Sequence, residues 1–131
     1  MSLSEEERQK LVAYRLLKAR RTLEDARKVI ELKMWATAAN RLYYATYYAV
    51  SALLITNGYI AKSHEGIIRL FNQHFIATGM IDKQLGRQYN KLFTLRLTGD
   101  YGDCFDLEEE DVSPLLKPAD DLIEKVSEMI Q

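Results

Sequence analysis

The chain has 131 residues, 47% of them hydrophobic and 28% charged, with a formal net charge of −1. That length holds one core and no second one, so residues 1–131 read as a single domain of a globular rather than disordered kind. The one cysteine, Cys104, excludes an internal disulfide and leads to the expectation of a reducing, cytoplasmic setting.

The first ten residues carry Glu5, Glu6, Glu7, Arg8 and Lys10 and no apolar run, so no signal peptide is expected. The longest apolar stretch, Leu42 to Ile55, is shorter than the roughly 20 residues of a bilayer span and contains Thr46 and Ser51. It reads as a buried central helix, and no membrane association is expected.

Charge is spread unevenly. Residues 1–33 hold nine basic and six acidic side chains, residues 34–99 seven and two, and residues 100–131 two and eleven. Two readings follow. The acidic tail packs on the basic body and neutralises it, or the body keeps a one-sided surface for an anion. The near-zero net charge favours the first.

The elements are helices throughout. Ser4-Glu5-Glu6-Glu7 forms a capping box that starts the first. Its stripe is Val12, Leu16, Ala19, Leu23, Ala26 and Ile30, spaced 4-3-4-3-4. The second runs from about Trp35 to Thr56 and stops at Asn57-Gly58. It is apolar nearly all round, and Ala38, Ala45, Ala49 and Ala52 admit close neighbours. Ser63 caps a third that carries Ile67, Ile68, Phe71 and Phe75 and closes at Gly79.

A fourth spans about Asp82 to Leu97, with Leu85, Tyr89 and Leu92 on one face, before Gly99 and Gly102 break the chain. The last holds Leu115, Ala119, Leu122, Val126 and Met129. Ser113-Pro114 suits its start, Pro118 threatens a kink, and Asp106 suits the cap of a separate short turn. No alternation of period two and no repeat competes. The fold expected is all-α: an up-and-down antiparallel bundle of about five helices, four long plus a C-terminal one.

Two side chains are too polar for their places. The seam of the second helix, followed back from Leu54 through Val50, Tyr47 and Tyr43, reaches Asn40, with Arg41 beside it on the face of Tyr44, Tyr48 and Ser51. The seam of the fourth, followed forward from Leu85, reaches Arg96. Leaving such groups unpaired costs a few kcal/mol. Either they form an internal network, with Arg96 held by Asp100 or Asp103 and Asn40 by tyrosine hydroxyls, or they line a cleft that offers an arginine to an anion.

Tyr43, Tyr44, Tyr47 and Tyr48 read as core or dimer-interface residues, with base stacking as the alternative. The all-round apolar second helix points to a second subunit. His64 and His74 are ten residues apart, about 15 Å along a helix, so no metal site is expected. His64 is either a plain first-turn residue or faces the cleft of Arg96. Cys104 has no histidine near it in sequence, and no glycine-rich phosphate loop exists.

Ala39-Asn40-Arg41-Leu42-Tyr43-Tyr44-Ala45, Ala52-Leu53-Leu54, Lys62-Ser63-His64-Glu65-Gly66 with Phe71 and Gly79, and Arg96-x-x-x-Asp100-Tyr101 together resemble the HEPN domain, in its short stand-alone prokaryotic branch. The resemblance covers about residues 10–130. It implies a helical bundle, a homodimer, and a minimal nucleotidyltransferase as partner in a toxin–antitoxin-like pair. Active members carry an arginine, then four to six intervening residues, then a histidine, and use both for metal-independent RNA cleavage.

Arg96 matches the arginine, but Tyr101, Gly102 and Asp103 stand where the histidine belongs. Without that imidazole no side chain in the motif has an ordinary pKa suited to proton transfer near pH 7, and a tyrosine near 10 is a poor base. The resemblance therefore implies a nucleotide- or RNA-binding or regulatory protein, with Arg96, Asp100, Tyr101, Asn40, Arg41, Tyr44 and His64 as ligand-binding candidates. Arg96 and Tyr101 are the candidates for any catalysis. No cofactor or metal is expected, and ribonuclease activity should be weak or absent. The alternatives are a ribonuclease with an altered site and a helical interaction module without a ligand.

Overall fold

A computed structural model describes residues 3–101 and 106–130, with the side chain of Tyr101 outside that description. The elements are α1 (Glu5–Glu31), α2 (Trp35–Thr56), α3 (His64–Phe71) continued by a π-turn (Asn72–Ile76), α4 (Lys83–Tyr101), a short α5 (Glu109–Val112), a 3₁₀ turn (Ser113–Leu115) and α6 (Leu116–Ile130). Among the described residues there is no strand. They form the expected up-and-down bundle, with α2 at its centre packed by α1, α3, α4 and α6.

The local chemistry explains the boundaries. Ser4 and Glu7 exchange reciprocal bonds of 3.1 Å, so both partners of the capping box are present. At the end of α2, Gly58 takes φ +78°, and Gly58 N and Tyr59 N bond back to Ile55 O and Leu54 O, a Schellman closure. The end of α1 uses the same bonds, Lys33 N to Ile30 O and Met34 N to Val29 O, but with a lysine at φ 58°.

The apolar stripes are where spacing puts them. Val12, Ala19, Leu23 and Ala26 of α1 are buried against the small face of α2, where Ala38, Ala45, Ala49 and Ala52 are fully enclosed. Tyr89 and Leu92 of α4 and Ala119, Leu122 and Val126 of α6 complete the core. α2 is enclosed by its own chain on most sides, with Tyr44, Tyr47 and Tyr48 left half-buried.

Three expectations are corrected. Gly99 does not break α4, which continues to Tyr101. It allows close packing instead: a Cβ there would lie 3.3 Å from the Ala36 Cα and 3.2 Å from Leu107 Cδ1. The short turn is capped by Glu108, paired reciprocally with Asp111, rather than by Asp106. Pro118 does not interrupt α6, which runs unbroken from Leu116 to Ile130, because it falls in the first turn, where its missing N–H is not needed; Pro114 sits in the 3₁₀ turn ahead of it. Asp103 and Cys104 lie outside the described residues.

The acidic tail does neutralise part of the body. Arg20 Nη1 meets Glu124 at 2.7 Å and Arg27 Nη2 meets Asp120 at 3.0 Å, both between α1 and α6. Among the described residues no helix is long and apolar enough to cross a membrane.

Candidate functional site

Arg96 enters from α4 and leaves only 11% of its side chain exposed. Its guanidinium carbon lies 5.1 Å from the centre of the Tyr43 ring, 5.6 Å from Tyr44 and 5.7 Å from Phe93, a cage that meets the cation with π-faces. Among the described residues the nearest carboxylate, Asp100 Oδ2, is 3.8 Å from Nη1, which is long for a charge-assisted bond. Nε is buried and has no hydrogen-bond partner among the described residues. This arginine is held in place by rings and, among the described residues, is under-supplied with acceptors.

Asp100 is held from the other side. Asn40 Nδ2 donates to Asp100 Oδ2 at 3.4 Å, while Asn40 Oδ1 accepts from Arg41 Nη2 at 2.7 Å and Nε at 3.1 Å. Arg41 in turn lies 5.6 Å from the Tyr44 ring centre. Asn40 therefore bonds a carboxylate and a guanidinium, not the tyrosine hydroxyls expected of it.

His64, the first residue of α3, faces the same cage. Ser63 caps that helix by accepting from Gly66 N at 2.9 Å, which fixes where the imidazole emerges. His64 Nδ1 is 2.6 Å from the Tyr43 hydroxyl, and its ring is 4.7 Å from Tyr47 and 5.9 Å from Tyr44. Burial, then the positive charge of Arg96, holds its pKa below the usual value near 6.5. The ring is neutral at pH 7. Burial pushes the phenols of Tyr43 and Tyr89 well up, so both stay protonated.

Six of the seven ligand-binding candidates, Asn40, Arg41, Tyr44, His64, Arg96 and Asp100, thus meet at one place where α2, α3 and α4 come together. The seventh, Tyr101, has its side chain outside the described residues. Tyr43, Tyr47 and Phe93 also build the site, although the tyrosine spacing pointed to core or interface. His74 stacks on Tyr59 at 4.0 Å, away from His64's cage. Among the described residues no group of three or more His, Cys, Asp or Glu side chains could hold a metal ion. The arrangement can receive an anion on a caged arginine, with a neutral imidazole beside it.

Comparison with known proteins agrees with the motifs. The profile of the HEPN domain matches residues 12–129. A "UPF0332 protein" of Thermotoga maritima is 37% identical over 125 residues, 95% of each chain. A Methanocaldococcus jannaschii protein named "Putative toxin MJ0142" is 31% identical over 99 residues, 76% of this chain and 67% of that one. "UPF0332 protein glr0978" of Gloeobacter violaceus is 35% identical over 85 residues, 65% of this chain and 68% of its own. With nearly its whole length matched, this chain belongs to the HEPN domain family.

Proposed function

We propose that this protein binds RNA or a nucleotide through the phosphate, at Arg96, and acts as the helical member of a toxin–antitoxin-like pair with a minimal nucleotidyltransferase. The observation that carries the reading is the caged guanidinium. A structural arginine at 11% exposure would be saturated with acceptors, because an unpaired buried donor costs about 1–3 kcal/mol. Among the described residues Nε has none, and the one carboxylate near it stands off at 3.8 Å from Nη1. A phosphate oxygen supplies what is missing, and planar guanidinium groups suit that geometry. The toxin names of two archaeal relatives support the biological setting.

A homodimer belongs to the same proposal. Its support is the resemblance to the HEPN domain, which implies a dimer, rather than the general apolarity of α2. Light scattering at tens of micromolar tests it, and a monomer there removes it. Co-purification with an adjacently encoded nucleotidyltransferase tests the pairing.

Binding is tested by fluorescence anisotropy with a labelled single-stranded RNA in EDTA. The wild type should bind and Arg96→Ala should lose at least tenfold. Equal binding by both sets the reading aside.

One observation favours a second reading, a metal-independent ribonuclease. The motif lacks its histidine, yet His64 brings an imidazole to the same aromatic cage from another helix. Cleavage of that RNA in EDTA, lost in both Arg96→Ala and His64→Ala, would establish it.

A further inference from the structure

Helix α1 carries two sets of cations that meet different neighbours. Arg20 and Arg27 are neutralised by α6. Arg15 and Lys18 lie toward α2 and have no carboxylate partner among the described residues. Arg15 Nη1 donates to Ser51 Oγ at 3.3 Å. Lys18 Nζ lies 4.8 Å from the ring centre of Tyr48 and 5.8 Å from that of Tyr14.

Next to Arg15 a cavity of about 170 Å³ opens between α1, α2 and the connection from α2 to α3. Ser51, Leu54, Tyr59 and Ile67 line it, and Tyr47 forms one wall. The Tyr47 ring also packs on His64 at 4.7 Å. One side chain therefore joins this cavity to the Arg96 site.

The spacing sets what can span the two. From Tyr44, beside Arg96, to Ser51, bonded to Arg15, is seven helical residues, about 10 Å of rise. A single phosphate group cannot meet both guanidiniums. Alternating cations and aromatic faces along a groove are the features that hold a single strand, with the cations on its backbone and the rings against its bases.

We propose that this cavity is a second subsite, which takes the base of the nucleotide next to the one held at Arg96, with Arg15 and Lys18 meeting the adjoining phosphate. The proposal rests on the reading that Arg96 holds a phosphate, and it commits the site to a strand of two or more nucleotides. The subsite adds binding energy only to a ligand long enough to reach it.

The test is competition against a labelled six-nucleotide RNA by AMP, by the 5′-phosphorylated dinucleotide pApA, which carries two phosphates, and by unlabelled hexamer, in EDTA. The dinucleotide should compete at least tenfold better than AMP. In Arg15→Gln/Lys18→Gln that advantage should vanish while AMP competes as before, and the salt dependence of hexamer binding should weaken by about one to two units of slope. Lys18→Gln alone, which leaves the Arg15–Ser51 bond in place, should remove part of the advantage and guards against a folding defect in the double variant. Binding that needs Arg96 but shows no length dependence overturns the subsite alone. A double variant that weakens AMP and pApA equally also overturns it. Absence of hexamer binding to the wild type overturns the Arg96 reading and this one together.

Discussion

The hydroxyl of Tyr43 lies 2.6 Å from Nδ1 of His64, which ties the middle of α2 to the first residue of α3. The bond has two consequences. It fixes the ring so that Nε2 is the free nitrogen, and it joins a core residue to a residue of the candidate site. Since the Tyr43 phenol stays protonated, it can donate to Nδ1 for as long as the imidazole is neutral.

Removing that hydroxyl should be felt in stability before function. Tyr43 is fully buried, and a buried hydrogen bond contributes about 0.5–1.5 kcal/mol. Tyr43→Phe should lower the melting temperature by a few degrees, at roughly 4 °C per kcal/mol for a domain of this size, while RNA affinity changes less than threefold. A larger loss of affinity than of stability would mean that the hydroxyl itself meets the ligand.

The Arg96–Asp100 pair leads to an increase in affinity. Among the described residues Asp100 is the anion nearest the caged guanidinium, and Asn40 holds it there. An incoming phosphate competes with that carboxylate. Asp100→Asn keeps the shape and removes the charge, so RNA should bind about three- to tenfold more tightly by anisotropy at low salt. Unchanged or weaker binding would show that Asp100 orients Arg96 rather than competing for it.

For Arg96→Ala the structure separates two stability outcomes. Were Arg96 the sole partner of a buried acid, its loss would cost about 3–5 kcal/mol. Asp100 is instead 30% exposed at its side chain and keeps Asn40. The lost cation–π contacts, roughly 0.5–2 kcal/mol, are offset by removing a buried unpaired Nε, about 1–3 kcal/mol. The melting temperature should therefore move by only a few degrees while binding collapses. A drop of many degrees with binding intact would make the arginine structural.

Helix number, stripes and most caps were legible because each depends on spacing within a few residues. The convergence of Asn40 and Arg96 was legible for a related reason: a polar residue on an apolar seam is conspicuous in one dimension. Gly99 was misread because helix propensity marks glycine as a breaker, while its close approach to Ala36, sixty-three residues earlier, leaves no local trace. The place of His64 depends on how α3 crosses α2, which no periodicity encodes. Tyr43 and Tyr47 carried a signal, their i,i+4 spacing, but core and cage require the same spacing.

Gly99 itself gives a stability test. Gly99→Val would press a branched side chain against the backbone at Ala36 and against Leu107, which cannot both yield. Overpacking of this kind costs about 1–3 kcal/mol, against at most roughly 1 kcal/mol gained from helix propensity. Thermal unfolding should show a net loss. An unchanged or higher melting temperature would mean that α4 can shift away from the start of α2 without cost.

The pH dependence of binding follows from His64. Its folded pKa lies below the unfolded value of about 6.5, so the unfolded chain takes up the proton first as pH falls. The stability contribution of the neutral ring is therefore complete above about pH 6.5. It declines as pH falls below that value and levels off once the folded ring is also protonated. Binding runs the other way. A phosphate next to the imidazole favours its charged form, so the bound pKa is higher than the free one, and protons are taken up on binding between the two. RNA affinity should rise between pH 8 and pH 5.5, while free-protein stability falls only below about pH 6.5. His64→Gln should flatten the affinity profile while leaving binding at pH 8 within about threefold of the wild type. Affinity that is flat in the wild type, or equally steep in the glutamine variant, would place the imidazole outside the ligand's reach.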